Sequence, residues 1–126
     1  MTLLTNLAAY LTGLGITGPF PLGEILDGDQ STATLLQVVG THDSDPTRTH
    51  LHPTVQIFFR RTTQAAAHAN AWTAYRALNA GRVTLASGYH VRALCPAEPI
   101  PLGRDGRNLW RYTLDVNFSL PYSAAI

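Results

Sequence analysis

Three imidazoles and two carboxylates crowd into one stretch of the chain: His42, Asp43, Asp45, His50 and His52 fall within the segment THDSDPTRTHLHP, Thr41 to Pro53. Such groups can bind a divalent metal and activate water on it, and His50 and His52 share a face if the segment is extended. The spacing matches no closed or open zinc pattern, and no acid or base stands behind the ligands to orient them. The plainer reading is a polar loop whose His42, Asp43, Arg48, His50 and His52 touch a partner. At thirteen residues it has the length at which a loop of a compact domain carries function or is disordered.

Other chemistry is thin. Cys95 is the single thiol, and His90 lies five positions away, which on a strand puts the two on opposite faces; Cys95 alternates with Val91 and Ala93 as a buried, inert residue would. Ser87–Gly88 lacks the glycine pattern of a nucleophile elbow, and no glycine-rich phosphate loop occurs. His68 precedes Trp72 by one helical turn and can stack on it as a half-exposed surface residue. Arg104, Arg107 and Arg111 cluster around a turn with Asp105 among them, facing either an acidic partner, DNA or solvent. Arg60 and Arg61 close a strand, where charge protects an exposed sheet end. No enzyme activity and no cofactor are expected.

The elements that would position these groups follow from periodicity. Leu3, Leu4, Leu7, Ala8 and Leu11 fall three and four apart, predicting a helix over Thr2 to Thr12 that starts at Thr2 and stops at Gly13 or Gly15. Gly18 to Ser31 is dense in Gly, Pro and Asp and reads as a connecting arm. Residues 34–39 and 54–60 are β-branched and aromatic strands. Gln64 to Ala80 is the surest helix, capped by Thr62 or Thr63 and stopped at Gly81; its stripe of Ala67, Ala71, Ala74 and Leu78 allows close approach to a sheet. Val83 to Ala86 and Tyr89 to Cys95 form a hairpin, and Pro96 to Gly106 breaks the pattern. From Trp110 to Leu120 apolar and polar residues alternate without a violation, so one face of that strand is buried and the other wet. The order predicts one α+β domain over 1–126, with a mostly antiparallel sheet of four to five strands and two helices packed on one face.

Composition bounds the function classes. The 126 residues carry nine Arg, no Lys and eight acidic residues, a net charge of +1 on a 13% charged fraction, too sparse for a protein that grips a duplex. One Cys makes no intrachain disulfide and no structural zinc site. No apolar run approaches a membrane span, and Met1 to Tyr10 lacks the basic start of a signal peptide, so the expected site of synthesis is a cytoplasm, with no membrane partner. The all-Arg basic set and a charged fraction half the usual ~25% have two readings, a GC-rich coding sequence or a surface built partly for contact with other subunits.

The strand opening His52, Pro53, Thr54, Val55, Gln56, Ile57, the helix with Ala71, Trp72, Tyr75, Arg76, Ala77 and Leu78, the turn Pro101, Leu102, Gly103, Arg104, Asp105 and the strand through Tyr112, Val116 and Phe118 together resemble the tail terminator family of long-tailed bacteriophages, whose members are often labelled minor capsid or neck proteins. The resemblance runs from about Leu3 to Leu120. It implies a structural subunit without catalytic residues that forms a homo-oligomeric ring, a hexamer, at the neck of the virion after assembly in the host cytoplasm. Its implied partners are itself, the tail tube protein and a head-completion or stopper protein, with DNA passing through the ring unread. Residue assignments, Arg104 and Arg107 among them, come from the residues and not from the family, and the His-rich loop is a departure. The alternatives are a head-completion or stopper protein of the same neck, a small metal-binding protein using His42, His50 and His52, and a non-specific DNA-binding domain.

Overall fold

The computed structural model describes residues 3–16, 18–21, 32–41, 50–85 and 88–121. Helix α1 spans Leu3–Gly13, and its Leu3, Leu7 and Leu11 are fully buried, as a repeat of four on one helical stripe requires. Gly15, and not Gly13, stops it. With φ at +87°, Gly15 lets its own N–H reach the Thr12 carbonyl and the Ile16 N–H reach the Leu11 carbonyl, both at 3.0 Å. These are the two bonds of a Schellman ending, and buried Ile16 supplies the apolar contact that accompanies it. The expected cap Thr2 lies outside the described residues.

Seven strands follow: β1 Ala33–Thr41, β2 His50–Leu51, β3 Pro53–Arg61, β4 Gly81–Leu85, β5 Tyr89–Leu94, β6 Ile100–Arg104 and β7 Trp110–Pro121. Helix α2, Gln64–Leu78, enters between β3 and β4 behind the cap Thr63, whose hydroxyl accepts from the Ala66 N–H at 3.1 Å. Every strand pairing is antiparallel, and the main path runs β1-β3-β7-β5-β4, with β2 and β6 both pairing with β7. The fold is α+β, as expected, with two more strands than the hydrophobic pattern announces.

Both extra strands have a physical reason for being hidden. β6 contains Pro101 and Gly103; as an edge strand it tolerates the proline, and Gly103, at φ +76°, sits where the register with β7 shifts, the place for a glycine in a bulge. β2 is only two residues long, yet its register with β7 (Leu51 opposite Leu120) runs on into that of β3 (Thr54 opposite Asn117). The last residues of the His-rich segment therefore belong to the sheet, and so does Thr41 at its start, so the expected loop is shorter than thirteen residues.

One sheet face carries the core. Val55, Ile57 and Phe59 on β3, Leu114, Val116, Phe118 and Leu120 on β7, and Val83, Leu85, Val91 and Ala93 on the hairpin join the buried stripes of both helices in one cluster. In α2 the stripe is Ala67, Ala71, Ala74 and Leu78, all fully buried; side chains this small bring the helix axis close to β7, β3 and β4, which it contacts. α1 reaches both β1 and β4, the two ends of the strand path, so the sheet curls around its helices, as twisted strands do.

The edges differ in protection. The Thr34 and Leu36 N–H groups donate to the Pro19 and Pro21 carbonyls at 3.0 and 3.1 Å, so part of the Gly18–Ser31 arm shields the first half of β1. From Val38 onward β1 is exposed along its length. Arg60 and Arg61, expected to cap an exposed sheet end, are instead buried, because the start of β1 and helix α2 close over the end of β3. Among the described residues no helix is long and apolar enough to cross a membrane.

Candidate functional site

The polar side chains of the second sheet face come together beside the β4–β5 hairpin. Alternation decides which they are: Val83, Leu85, Val91 and Ala93 face the core, so Arg82, Thr84, His90 and Arg92 face solvent. Pairing then sets them side by side, with Arg82 opposite Arg92 and Thr84 opposite His90, while Arg92 is also opposite Ser119 of β7. With His50, Pro121 and the edges of Val83 and Val91 they line an open groove of about 430 Å³. Thr84 Oγ1 and His90 Nδ1 lie 2.9 Å apart, a contact that ties the imidazole to the neighbouring strand. Among the described lining residues none is acidic.

Of the residues singled out by type and spacing, one lines this groove and one stands beside it. His50 lines it, and His52 lies across from Ser119, with Nδ1 2.9 Å from Oγ. Both histidines therefore fall on one face, as an extended segment demands. His42, Asp43, Asp45 and Arg48 lie outside the described residues. Among those described, no group of three or more His, Cys, Asp or Glu side chains is placed to hold a metal ion.

Arg104 and Arg107 are elsewhere. They flank the turn between β6 and β7, while the groove lies at the far end of β7, about nine residues or ~30 Å away. Asp105 organises that turn: its Oδ1 accepts from the Arg107 and Leu109 N–H groups at 2.8 and 3.0 Å. The Leu109 N–H bond foremost holds its carboxyl below the usual aspartate range; desolvation, the next largest effect, opposes it, and the Arg107 N–H and the charges of Arg60 and Arg111 add to the lowering. Arg104 lies over the Trp110 ring, 5.4 Å from its centre, and Arg111 donates to the Leu102 carbonyl at 3.0 Å. The arginine cluster is thus woven into its own hairpin, with Arg104 and Arg107 both exposed and Arg107 at the tip.

Similarity supplies what geometry alone does not. A family model described as bacteriophage tail terminator protein matches residues 27–122, which takes in every strand and helix α2. The chain belongs to the bacteriophage tail terminator family. Among curated proteins it has no match. Membership makes it a structural component of a phage tail, and so of the virion.

In this tail terminator the remaining candidates for chemistry have structural employment. Cys95 is half-buried against the core, and its N–H donates to Asn79 Oδ1 at 3.0 Å, tying β5 to the end of α2. Burial, with a further push from the Asp115 carboxylate, raises its thiol to about 12. The expected result is that iodoacetamide alkylation of the folded protein at pH 8.5 runs on the order of a thousandfold slower than for a free thiol, and climbs about tenfold per pH unit without levelling near 9. A plateau between pH 8 and 9, followed by mass spectrometry, would show an ordinary exposed thiol instead. His68 sits 5.9 Å from the Trp72 ring centre, as its spacing anticipates, but its Nδ1 also lies 3.1 Å from the Tyr112 hydroxyl, so it links α2 to β7.

The terminator residues that sequence reading passes over are Arg82, Thr84 and Arg92, while His90 is weighed there only as a partner for Cys95. Each pair shows the period of two, but the strands are short, and only the hairpin register makes one site of them.

Proposed function

We propose that this tail terminator forms a closed ring, a hexamer, that caps the last ring of the tail tube, stops its polymerisation and offers its other face to the head-completion protein. The observation that carries the reading, beside the family match, is the pair of unlike sheet margins left open. On one margin Val38 and Val39 of β1 are 38% and 49% exposed; on the other Ile100 and Leu102 of β6 are 51% and 40% exposed. A cyclic assembly needs two different complementary surfaces on each copy, and edge strands carrying apolar residues are stable in solution when a neighbour covers them. DNA passes through the ring without being read, in keeping with a low charge density. His42, Asp43, Arg48, His50, His52, Arg104 and Arg107 are contact residues for neighbouring copies or for the tube and the head-completion protein.

Electron microscopy of particles assembled without this chain tests the reading. Tails longer than normal, with tubes detached from heads, are the expected outcome, and restoring the protein restores a single length. Tubes of normal, uniform length in its absence would sink the terminator role.

A further inference from the structure

One short sequence occurs twice in the chain. Pro19, Phe20, Pro21, Leu22, Gly23 is repeated as Pro99, Ile100, Pro101, Leu102, Gly103, identical but for one exchange of an apolar residue. The first occurrence shows what such a segment does. The Pro19 and Pro21 carbonyls accept from the Thr34 and Leu36 N–H groups at 3.0 and 3.1 Å, on the outer edge of β1. Proline has no N–H of its own, so a segment with proline at alternate positions accepts from an edge strand through those residues and returns nothing.

The second occurrence runs into β6, on the opposite margin of the sheet. Pro101 stands opposite Tyr112; with no N–H to exchange, it makes a pair without hydrogen bonds, which turns its carbonyl away from β7. Pro99 is buried, while Ile100, Pro101 and Leu102 are exposed. On its side, β1 presents further donors along the edge that holds the first segment. The register with β3 is unbroken as far as Val38, so the Val38 N–H points the same way as those of Thr34 and Leu36. Thr41 lies opposite Pro53, and because that proline has no N–H to exchange, Thr41 also turns its N–H outward. The backbone here is open: Gly40 is exposed, and a Cβ added to it would meet nothing within 4 Å.

We infer that Ile100–Leu102 of β6 in one copy seats on the Val38–Thr41 edge of β1 in the next, as Pro19–Pro21 seats on Thr34–Leu36 within each chain. This rests on the ring reading above and names the joint. A second copy is the occupant because the chain itself carries, exposed, a near-duplicate of the segment already held on that edge. Main-chain bonds of this kind add one strand to another, and Val38 and Val39 meet Ile100 and Leu102 to remove all four side chains from water. The joint is directional. An edge that only accepts cannot pair with its own twin, so β6 meets β1 and the contact is head-to-tail, as a cyclic assembly needs. Within one chain the two segments lie three strand spacings, ~14 Å, apart across β3 and β7, so only neighbouring chains can make the contact.

Photocrosslinking tests it. The full-length protein with p-benzoylphenylalanine in place of Val39 is irradiated alone and on tube tips, its products identified by mass spectrometry and its rings followed by mass photometry. A ladder of covalent multimers joining position 39 to the 98–104 peptide of another copy is the expected result. In a second variant, Ile100→Asp, rings should fall at least tenfold at equal concentration with the circular dichroism spectrum unchanged, because this side chain is exposed in the single chain. Crosslinks to residues 38–41 of another copy, or to the tube protein alone, would give the β1 edge a different occupant and overturn the inference. Rings that form without crosslinks, or that persist in Ile100→Asp, would also overturn it and leave the ring reading standing. Wild-type protein that stays monomeric both alone and on tube tips would overturn both.

Discussion

Replacing Arg61 by Met should cost about 3 kcal/mol of stability, a fall in melting temperature of roughly 10 °C for a domain of this size. The side chain is buried and its guanidinium spends its donors on three elements. Nε donates to Asn70 Oδ1 on α2 at 2.9 Å, Nη1 to the carbonyls of Ala33 and Arg60 at 2.6 and 3.0 Å, and Nη2 to Thr34 Oγ1 at 2.7 Å. The same group lies 5.9 Å from the centre of the Phe59 ring. Burial lowers its pKa from the ordinary arginine value, but a guanidinium stays charged throughout the accessible range, so its bonds are charge-assisted and strong. Met fills the space and leaves the acceptors unsatisfied in the interior, which is where the cost arises. Lys keeps the charge but has no planar fork to span Asn70, Ala33 and Thr34 together, so Arg61→Lys should recover less than half of the loss. Urea unfolding monitored by tryptophan fluorescence checks this; a loss under 1 kcal/mol for Met would mean that the start of β1 is held by other contacts.

That bond set also explains why a local rule misleads at this position. Two arginines at the end of an apolar strand look like solvent-facing protection, because nothing nearby in sequence reveals that Ala33 and Asn70 arrive from either side. What depends on one element alone is legible: the four-residue spacing of α1, the capped alanine-rich α2 and the unbroken alternation of β7 each carry their own evidence. What depends on two elements is not. β6 pairs only because β7 is there to accept it, with Pro101 and Gly103 disguising it as a loop. The basic groove likewise exists only after β4 and β5 pair in the register that sets Arg82 against Arg92. The His-rich segment drew the eye by composition. Of its described histidines, His50 lines the groove and His52 stands beside it on Ser119, because β2 and β3 share one register along β7. Arg104 and Arg107, grouped with these histidines as contact residues, sit at the opposite end of the same strand.

Neighbouring residues on β7 offer the sharpest measure of that alternation. Phe118 is fully buried in the core, opposite Ala93, whose small side chain leaves the ring the space between α2 and the sheet. Phe118→Ala removes most of a large apolar side chain and leaves a cavity that helix and sheet cannot collapse to fill, at a cost of about 4 kcal/mol. For a domain whose total stability lies at roughly 5–15 kcal/mol, this brings much of the population toward unfolding at 37 °C. Ser119, one residue on, points to the other face, where its hydroxyl meets His52; Ser119→Ala removes a half-exposed hydrogen bond worth about 1 kcal/mol or less. Unfolding free energies of the two variants from denaturant titration should therefore differ by about 3 kcal/mol although the residues are adjacent. Equal losses would mean that the faces of β7 are misassigned, and with them the groove, because Ser119, Arg92 and Arg82 are placed on the open side by the same parity that puts Phe118 inside.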